Sequence, residues 1–215
     1  MEVVDGIRAH SSDALRSNDC AACHPPMAEK TPIAPDKNRL WQQLPSLLIV
    51  ACLALLLRWA VLEPRWIPSG SMLPSLELQD RILVEKISSR LRLTPKRGDV
   101  VVFRAPEALV RSGYNPKTAL IKRVVGLPGD QLEVSNGQLR RNGLVASEPW
   151  LDQTMEYSME AIEVPQGQLW VLGDNRNASL DSHLWGALPE ENLIGTALWR
   201  YWPPARFGPI TAKTS

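Results

Sequence analysis

Residues 131–143 read Gln-Leu-Glu-Val-Ser-Asn-Gly-Gln-Leu-Arg-Arg-Asn-Gly, and the Asn-Gly pairs at 136–137 and 142–143 decide what this stretch can be. Asn followed by Gly tolerates the positive backbone angles that a tight antiparallel turn demands at both central positions. Residues 138–141, caught between two such turns, have room only for a short strand. Working outward, the same β-type runs recur at 81–85 (RILVE), 99–103 (DVVVF), 120–125 (LIKRVV), 168–172 (QLWVL) and 193–202. Each is bounded by Gly, Pro, Asn or Asp, the residues that supply turn geometry. The chain beyond residue 62 is therefore expected to be mainly β, built from antiparallel sheet.

Upstream the pattern changes. Residues 44–62 (LPSLLIVACLALLLRWAVL) are broken only by Pro45 and Ser46 near the start and Arg58 near the end. That length is close to what a helix needs to cross a bilayer. Arg58 sits where a long side chain can carry its charge back to the interface. A single transmembrane anchor is expected here. Lys30, Lys37 and Arg39 on one side face Arg58 and Arg65 on the other, which leans toward a cytoplasmic N-terminus. The domain reading is a polar, disordered tail over 1–43, the anchor over 44–62, a catalytic domain over 63–204 and a C-terminal tail over 205–215.

The charge balance, 24 Lys+Arg against 23 Asp+Glu, lacks the basic excess of a nucleic-acid binder, so nucleic acid is excluded as a partner. Cys20, Cys23 and Cys52 all lie early in the chain, and the β domain must be held by packing without a disulfide. Cys20-Ala21-Ala22-Cys23-His24 fits the C-x-x-C-H pattern of covalent haem attachment. No export signal precedes it and the anchor places it opposite the catalytic domain, so no cofactor is expected. Met27 is an alternative start that would remove the pattern altogether.

The candidate chemistry lies in three places. Residues 67–74 (Ile-Pro-Ser-Gly-Ser-Met-Leu-Pro) hold two prolines and a glycine that stiffen the backbone and fix a hydroxyl in place. A serine hydroxyl needs a base to act as a nucleophile. His10 and His24 belong to the tail, which leaves His183, oriented by Asp174 or Asp181, or else Lys122. In strict alternation Lys122 shares a face with Leu120 and Val124. Burial disfavours an ammonium ion, so such a lysine can become neutral and accept a proton. Residues 173–186 form a polar loop directly after an apolar strand, where functional groups concentrate. Each segment taken alone also has a blander explanation, as linker, salt-bridged lysine or surface turn.

Taken together and in order, PSGSMLP (68–74), RGDVVVF (97–103), KRVVGLPGD (122–130) and GDNRNASLDSH (173–183), downstream of an apolar anchor, resemble type I signal peptidases. The resemblance covers residues from about 44 to 204. It implies a membrane-anchored, mainly β serine endopeptidase with a Ser-Lys dyad, a known variant of the triad. Carried over by motif, Ser71 is the expected nucleophile and Lys122 its general base. Ser69 is expected to join the Ser71 backbone N–H in an oxyanion hole. Ser179 is expected to hydrogen-bond and orient the lysine, Asp181 to hold the loop together, and Gly173 to allow close backbone approach.

Many members carry GDNRD and DSR in that loop, where this chain has Asn177 and His183, a variant that looks like the cyanobacterial and thylakoid branch. A contact from Asp181 to His183 is expected in place of a salt bridge to arginine. The substrates implied are preproteins with small residues at the first and third positions before the cut. Ile67, Met72, Leu76 and Ile121, which flank the dyad in sequence, are the expected pocket walls. The resemblance also implies a plasma or thylakoid membrane location, with the catalytic domain on the extracytoplasmic or lumenal side. Two alternatives stay open: a related self-cleaving Ser-Lys peptidase, and a hydrolase using Ser71, His183 and Asp174.

Overall fold

The structure is a computed structural model that describes residues 37–210, the side chains of 37–44 and 57–60 excepted. Of the polar tail expected over 1–43, residues 1–36, with Cys20, Cys23, His24 and Met27, lie outside the described residues, as do residues 211–215, while 37–43 belong to a helix.

Helix α1 (Lys37–Val61) runs directly into strand β1 (Leu62–Trp66). There follow β2 (Arg81–Glu85), α2 (Ile87–Arg90), β3 (Val100–Arg104), α3 (Glu107–Arg111), β4 (Ala119–Gly126), β5 (Gln131–Ser135), β6 (Gln138–Arg141), β7 (Leu144–Val145), β8 (Met159–Glu163), β9 (Gln168–Leu172), α4 (Ser182–Trp185), β10 (Leu188–Pro189), β11 (Leu193–Trp202) and β12 (Gly208–Pro209). One sheet has the order β1-β2-β11-β3-β4-β9-β10, with β12 paired to β11; a second has the order β7-β6-β5-β8. The pairings in both sheets are antiparallel. Mainly β antiparallel architecture is thus observed, as expected.

The Asn-Gly turns behave as their chemistry requires. Asn136 and Gly137 adopt φ of 52° and 74°, and Asn142 and Gly143 adopt 53° and 80°. They fold β5, β6 and β7 into a meander in which Val134 faces Leu139 and Arg141 faces Leu144. Five strands escaped the sequence reading: β7, β10 and β12 are only two residues long, and β1 and β8 were missed for other physical reasons. β1 contains Pro64, which cannot donate to a ladder but is tolerated because β1 is a sheet edge. β8 (Met-Glu-Ala-Ile-Glu) lacks β-branched density and is also an edge.

The boundaries shift at both ends. Leu62 belongs to β1, paired with Glu85, and not to the helix expected over 44–62. Residues 205–210, read as the start of a tail, fold back onto the sheet: β12 pairs β11, Ile210 is buried in the core, and Arg206 reaches Asp80 and Glu77. In α1, Leu47, Leu48, Ile49, Val50, Leu53, Leu55 and Leu56 are between 61% and 68% exposed, so among the described residues none packs closely over this stretch. Among the described residues no helix is long and apolar enough to cross a membrane.

The core that bears on the site is one cluster: Ile67, Met72 and Leu76 from the segment after β1 pack with Ile82, Val84, Val100, Val102 and Ile121. These inward-facing aliphatic side chains pin residues 67–76 onto the sheet. Burying each contributes on the order of 2 kcal/mol.

Candidate active site

Residues 70–72 form a single 3-10 turn after Ser69, whose backbone is extended. Ile67 precedes this turn and Met72 ends it, 2% and 0% exposed. The backbone between them is therefore held at both sides, and Ser71 stands half-buried where solvent can still reach it. Its hydroxyl lies 3.3 Å from that of Ser69.

Lys122 comes from the middle of β4, paired with Val101 of β3. Strand alternation puts one face of β4 in the core, but residues 121–126 are buried on both faces. Lys122 is 3% exposed and makes no ion pair among the described residues. Its Nζ donates to Ser71 Oγ at 2.7 Å. Burial is the main influence on the ammonium and pushes its pKa down to about 8, against a smaller opposing pull from the Asp181 and Asp174 carboxylates. The lysine is thus partly neutral near physiological pH, at hydrogen-bond distance from a hydroxyl it can deprotonate.

The loop after β9 closes the site from the other side. Gly173 lies so close to the serine segment that a Cβ there would meet Ser179 Oγ and the Ser71 carbonyl oxygen at 2.2 and 2.4 Å. The Asn175 N–H donates to the Ser71 carbonyl at 3.1 Å, and its side-chain amide donates to the Gly70 carbonyl at 3.2 Å. Asp181, wholly buried, accepts from the Gly173 N–H at 2.8 Å and bonds His183 Nδ1 at 2.7 Å. The His183 ring stacks on Tyr157, with centroids 4.3 Å apart.

Most of the residues singled out from sequence are therefore brought together: Ser71, Lys122, Ser69, Gly173 and Ser179 share one site, with Asp181 one hydrogen bond behind it. Two expectations need correction, and the surroundings of the expected pocket residues are defined. Ser179 Oγ is buried and has no hydrogen-bond partner among the described residues, so the bond to Lys122 is not formed here. Ile67, Met72, Leu76 and Ile121 are core residues, none more than 7% exposed, and they belong to the cluster on which the serine turn is pinned. The Ser71, His183 and Asp174 constellation is not assembled, because His183 bonds Asp181 while Asp174 is held by Arg123.

Several structural partners had no sequence signal. Arg123, next to Lys122 and 2% exposed, grips Asp174 with bonds of 2.8 and 2.6 Å and lies 4.5 Å from the Trp150 ring centre. Arg176 donates to the Gly173 carbonyl at 3.0 Å and forks onto Glu148 at 2.7 and 2.6 Å. Asn177, at one of the variant positions, clips the preceding loop by accepting from the Glu156 N–H and donating to the Thr154 carbonyl. Glu148 lies 28 residues from Arg176, and nothing in its neighbours announces that contact.

A serine hydrogen-bonded to a buried lysine that has no ion pair among the described residues, on an antiparallel sheet, defines the class of Ser-Lys peptidases. Comparison with known proteins agrees. The family model described as signal peptidase, peptidase S26, matches residues 40–202, and the chain belongs to this family of serine endopeptidases. It is 45% identical over 186 residues to a probable signal peptidase I-1 of Synechocystis, covering 86% of this chain and 94% of that one. It is 46% identical over 157 residues to a probable chloroplastic thylakoidal processing peptidase 2 of Arabidopsis thaliana, covering 73% of this chain and 42% of that one. The crystal structure of a signal peptidase I from Enterococcus faecalis aligns with a TM-score of 0.41 at 28% identity, covering 48% of this chain and 96% of that one.

Proposed function

We propose that this chain removes signal peptides from exported preproteins while anchored in the membrane by α1, with Ser71 as nucleophile and Lys122 as general base. The observation that carries the reading is the 2.7 Å bond between the Ser71 hydroxyl and a buried lysine that has no carboxylate partner among the described residues. Neutral Lys122 takes the hydroxyl proton as Ser71 Oγ attacks the scissile carbonyl. The Ser69 hydroxyl and the Ser71 N–H steady the oxyanion, an effect commonly worth about 3 kcal/mol per donor. The lysine then gives its proton to the departing amine, leaving an acyl-serine. Water, deprotonated by the same lysine, attacks the ester and frees the serine.

The anchor reading rests on the all-round exposure of the leucines in α1, which suits hydrocarbon on every side. With the cytoplasmic N-terminus toward which the flanking charges lean, the catalytic domain would lie on the extracytoplasmic or lumenal face of a plasma or thylakoid membrane. Incubation of the detergent-solubilised full chain with a preprotein tests the whole reading. Wild type releases the mature product, and Ser71→Ala and Lys122→Ala each lose it. Retained cleavage in Lys122→Ala would remove the dyad.

A further inference from the structure

Two carboxylates act on Lys122, and they are compensated differently. Burial lowers the pKa of the lysine to about 8, and the Asp181 and Asp174 carboxylates pull it back up. Asp174 is forked by Arg123, a guanidinium that stays charged at any working pH. Asp181, wholly buried, has one ionisable partner among the described residues, the His183 ring. Imidazole, unlike guanidinium, can gain or lose its charge near neutral pH. Of the two fields that bear on the lysine, the one from Asp181 is therefore open to adjustment.

The histidine is held for this contact. Asp181 caps α4: its Oδ1 accepts the His183 backbone N–H at 3.3 Å and bonds the ring Nδ1 at 2.7 Å, while its Oδ2 accepts the Gly173 N–H at 2.8 Å. A carboxylate only accepts, so Nδ1 keeps a proton and the charge of the ring is decided at Nε2. The ring lies on Tyr157 with 13° between the planes, and it bonds no other group among the described residues. The His183 side chain is 16% exposed against 0% for Asp181, so solvent protons reach the pair through the ring. Tyr157 supplies no second variable charge. Burial, with the Asp181 carboxylate adding to it, pushes its hydroxyl above the usual 10 of a tyrosine, and Arg176, which pulls the other way, is itself forked by Glu148.

We propose that His183 is a positioning residue whose charge, relayed through Asp181, sets the pH range in which Lys122 acts as a base. This rests on the reading of Ser71 and Lys122 as the catalytic pair. A protonated ring offsets the carboxylate, weakens its hold on the lysine proton and extends activity toward lower pH. A neutral ring leaves the carboxylate in force and confines activity to higher pH. The arrangement resists acid, because the protons that charge Lys122 also charge the histidine that makes the lysine easier to discharge.

The pH dependence of kcat/KM for a signal-peptide-bearing peptide, measured on the full chain in detergent, tests this with His183→Arg and His183→Gln. The first fixes a positive charge beside Asp181, and the second a neutral amide that can still donate. The bend of the profile is expected about half a pH unit lower in His183→Arg than in His183→Gln, with the wild type no further out than either. Below both bends His183→Arg should then cleave about threefold faster. In an Asp181→Asn background the carboxylate is gone and the two bends should coincide. His183→Lys gives the same contrast if the guanidinium disturbs the loop. Bends that coincide with Asp181 present overturn the proposal, as does a lowered plateau with an unmoved bend, the mark of a histidine that only braces the loop. A gap that persists in Asp181→Asn overturns the relay. Cleavage that survives in Lys122→Ala would instead sink the catalytic reading, so the two failures are told apart.

Discussion

Arg123 and Asp174 form a two-bond ion pair in the interior, 2% and 0% exposed at their side chains, and each immediately follows a residue of the candidate site: Lys122 on β4 and Gly173 after β9. The pair fixes the spacing of the two segments that must meet. Removing one partner leaves an uncompensated buried charge, which commonly costs about 3–5 kcal/mol. Asp174→Ala is therefore expected to lower the denaturant midpoint sharply. Arg123→Leu/Asp174→Leu, which removes both charges, should be less destabilised than Asp174→Ala. Equal losses would show that the pair acts only through volume.

Catalysis should depend on pH through Lys122. The base is competent when neutral, and burial brings its pKa to about 8. The rate constant kcat/KM is expected to climb tenfold per pH unit below that point and level off above it. An unperturbed lysine would place the bend more than two units higher. Stability responds in the same direction. The penalty for burying the ammonium is fully present below pH 8 and is relieved as pH rises from there toward the unfolded value of 10.5, since only the unfolded chain is then protonated. A Lys122→Met variant should lose that part of the pH dependence, as read by denaturation at pH 7 and pH 10.

Gly173→Ala should be inactive. Its Cβ would fall 2.4 Å from the Ser71 carbonyl and 2.2 Å from Ser179 Oγ, and one of those neighbours is backbone that cannot swing away. The loop must retreat, taking the Asn175 contacts with Ser71 and Gly70 along. Cleavage is expected to drop at least a hundredfold, and thermal stability to fall. A fully active alanine variant would mean that the loop adapts.

Glu148 belongs to the site's framework although it lies far from the dyad in sequence. Glu148→Ala leaves the Arg176 guanidinium, 0% exposed, without its carboxylate, and should cost about 3 kcal/mol. Because Arg176 also holds the Gly173 carbonyl, activity should fall with it. Glu148→Gln, which keeps the shape and one acceptor, is expected to lie between the two. Urea titration and peptide cleavage on the same preparations separate the stability and activity effects.

Ile121→Trp should destabilise the fold. A position 7% exposed within the core cluster has no room for an indole, and overpacking of this kind costs about 1–3 kcal/mol or more. A stable but inactive variant would return Ile121 to the role of pocket wall.

The pairing of Ser71 with Lys122 was implied only by the resemblance of four ordered motifs to a known family, but the local chemistry of the chain was enough to give the strands rich in β-branched residues, the Asn-Gly turns and the apolar stretch before them. These are features in which each residue acts on its neighbours, by backbone preference or period, and so they can be read without a partner. Edge strands such as β1 and β8 were not legible, because their pairing is decided by the strand they lie against. Nor were Arg123 with Asp174 or Arg176 with Glu148, whose side chains look like ordinary surface charge until the fold removes water from around them. Tertiary structure also decided what Ile67, Met72 and Leu76 do. Adjacency to the serine suggested a pocket, but the direction in which a side chain points depends on which face of the segment meets the sheet. The lowered pKa of Lys122 belongs to both levels: its apolar flanks were visible in the sequence, but only burial on both faces of β4 withdraws the solvent that would keep the ammonium charged.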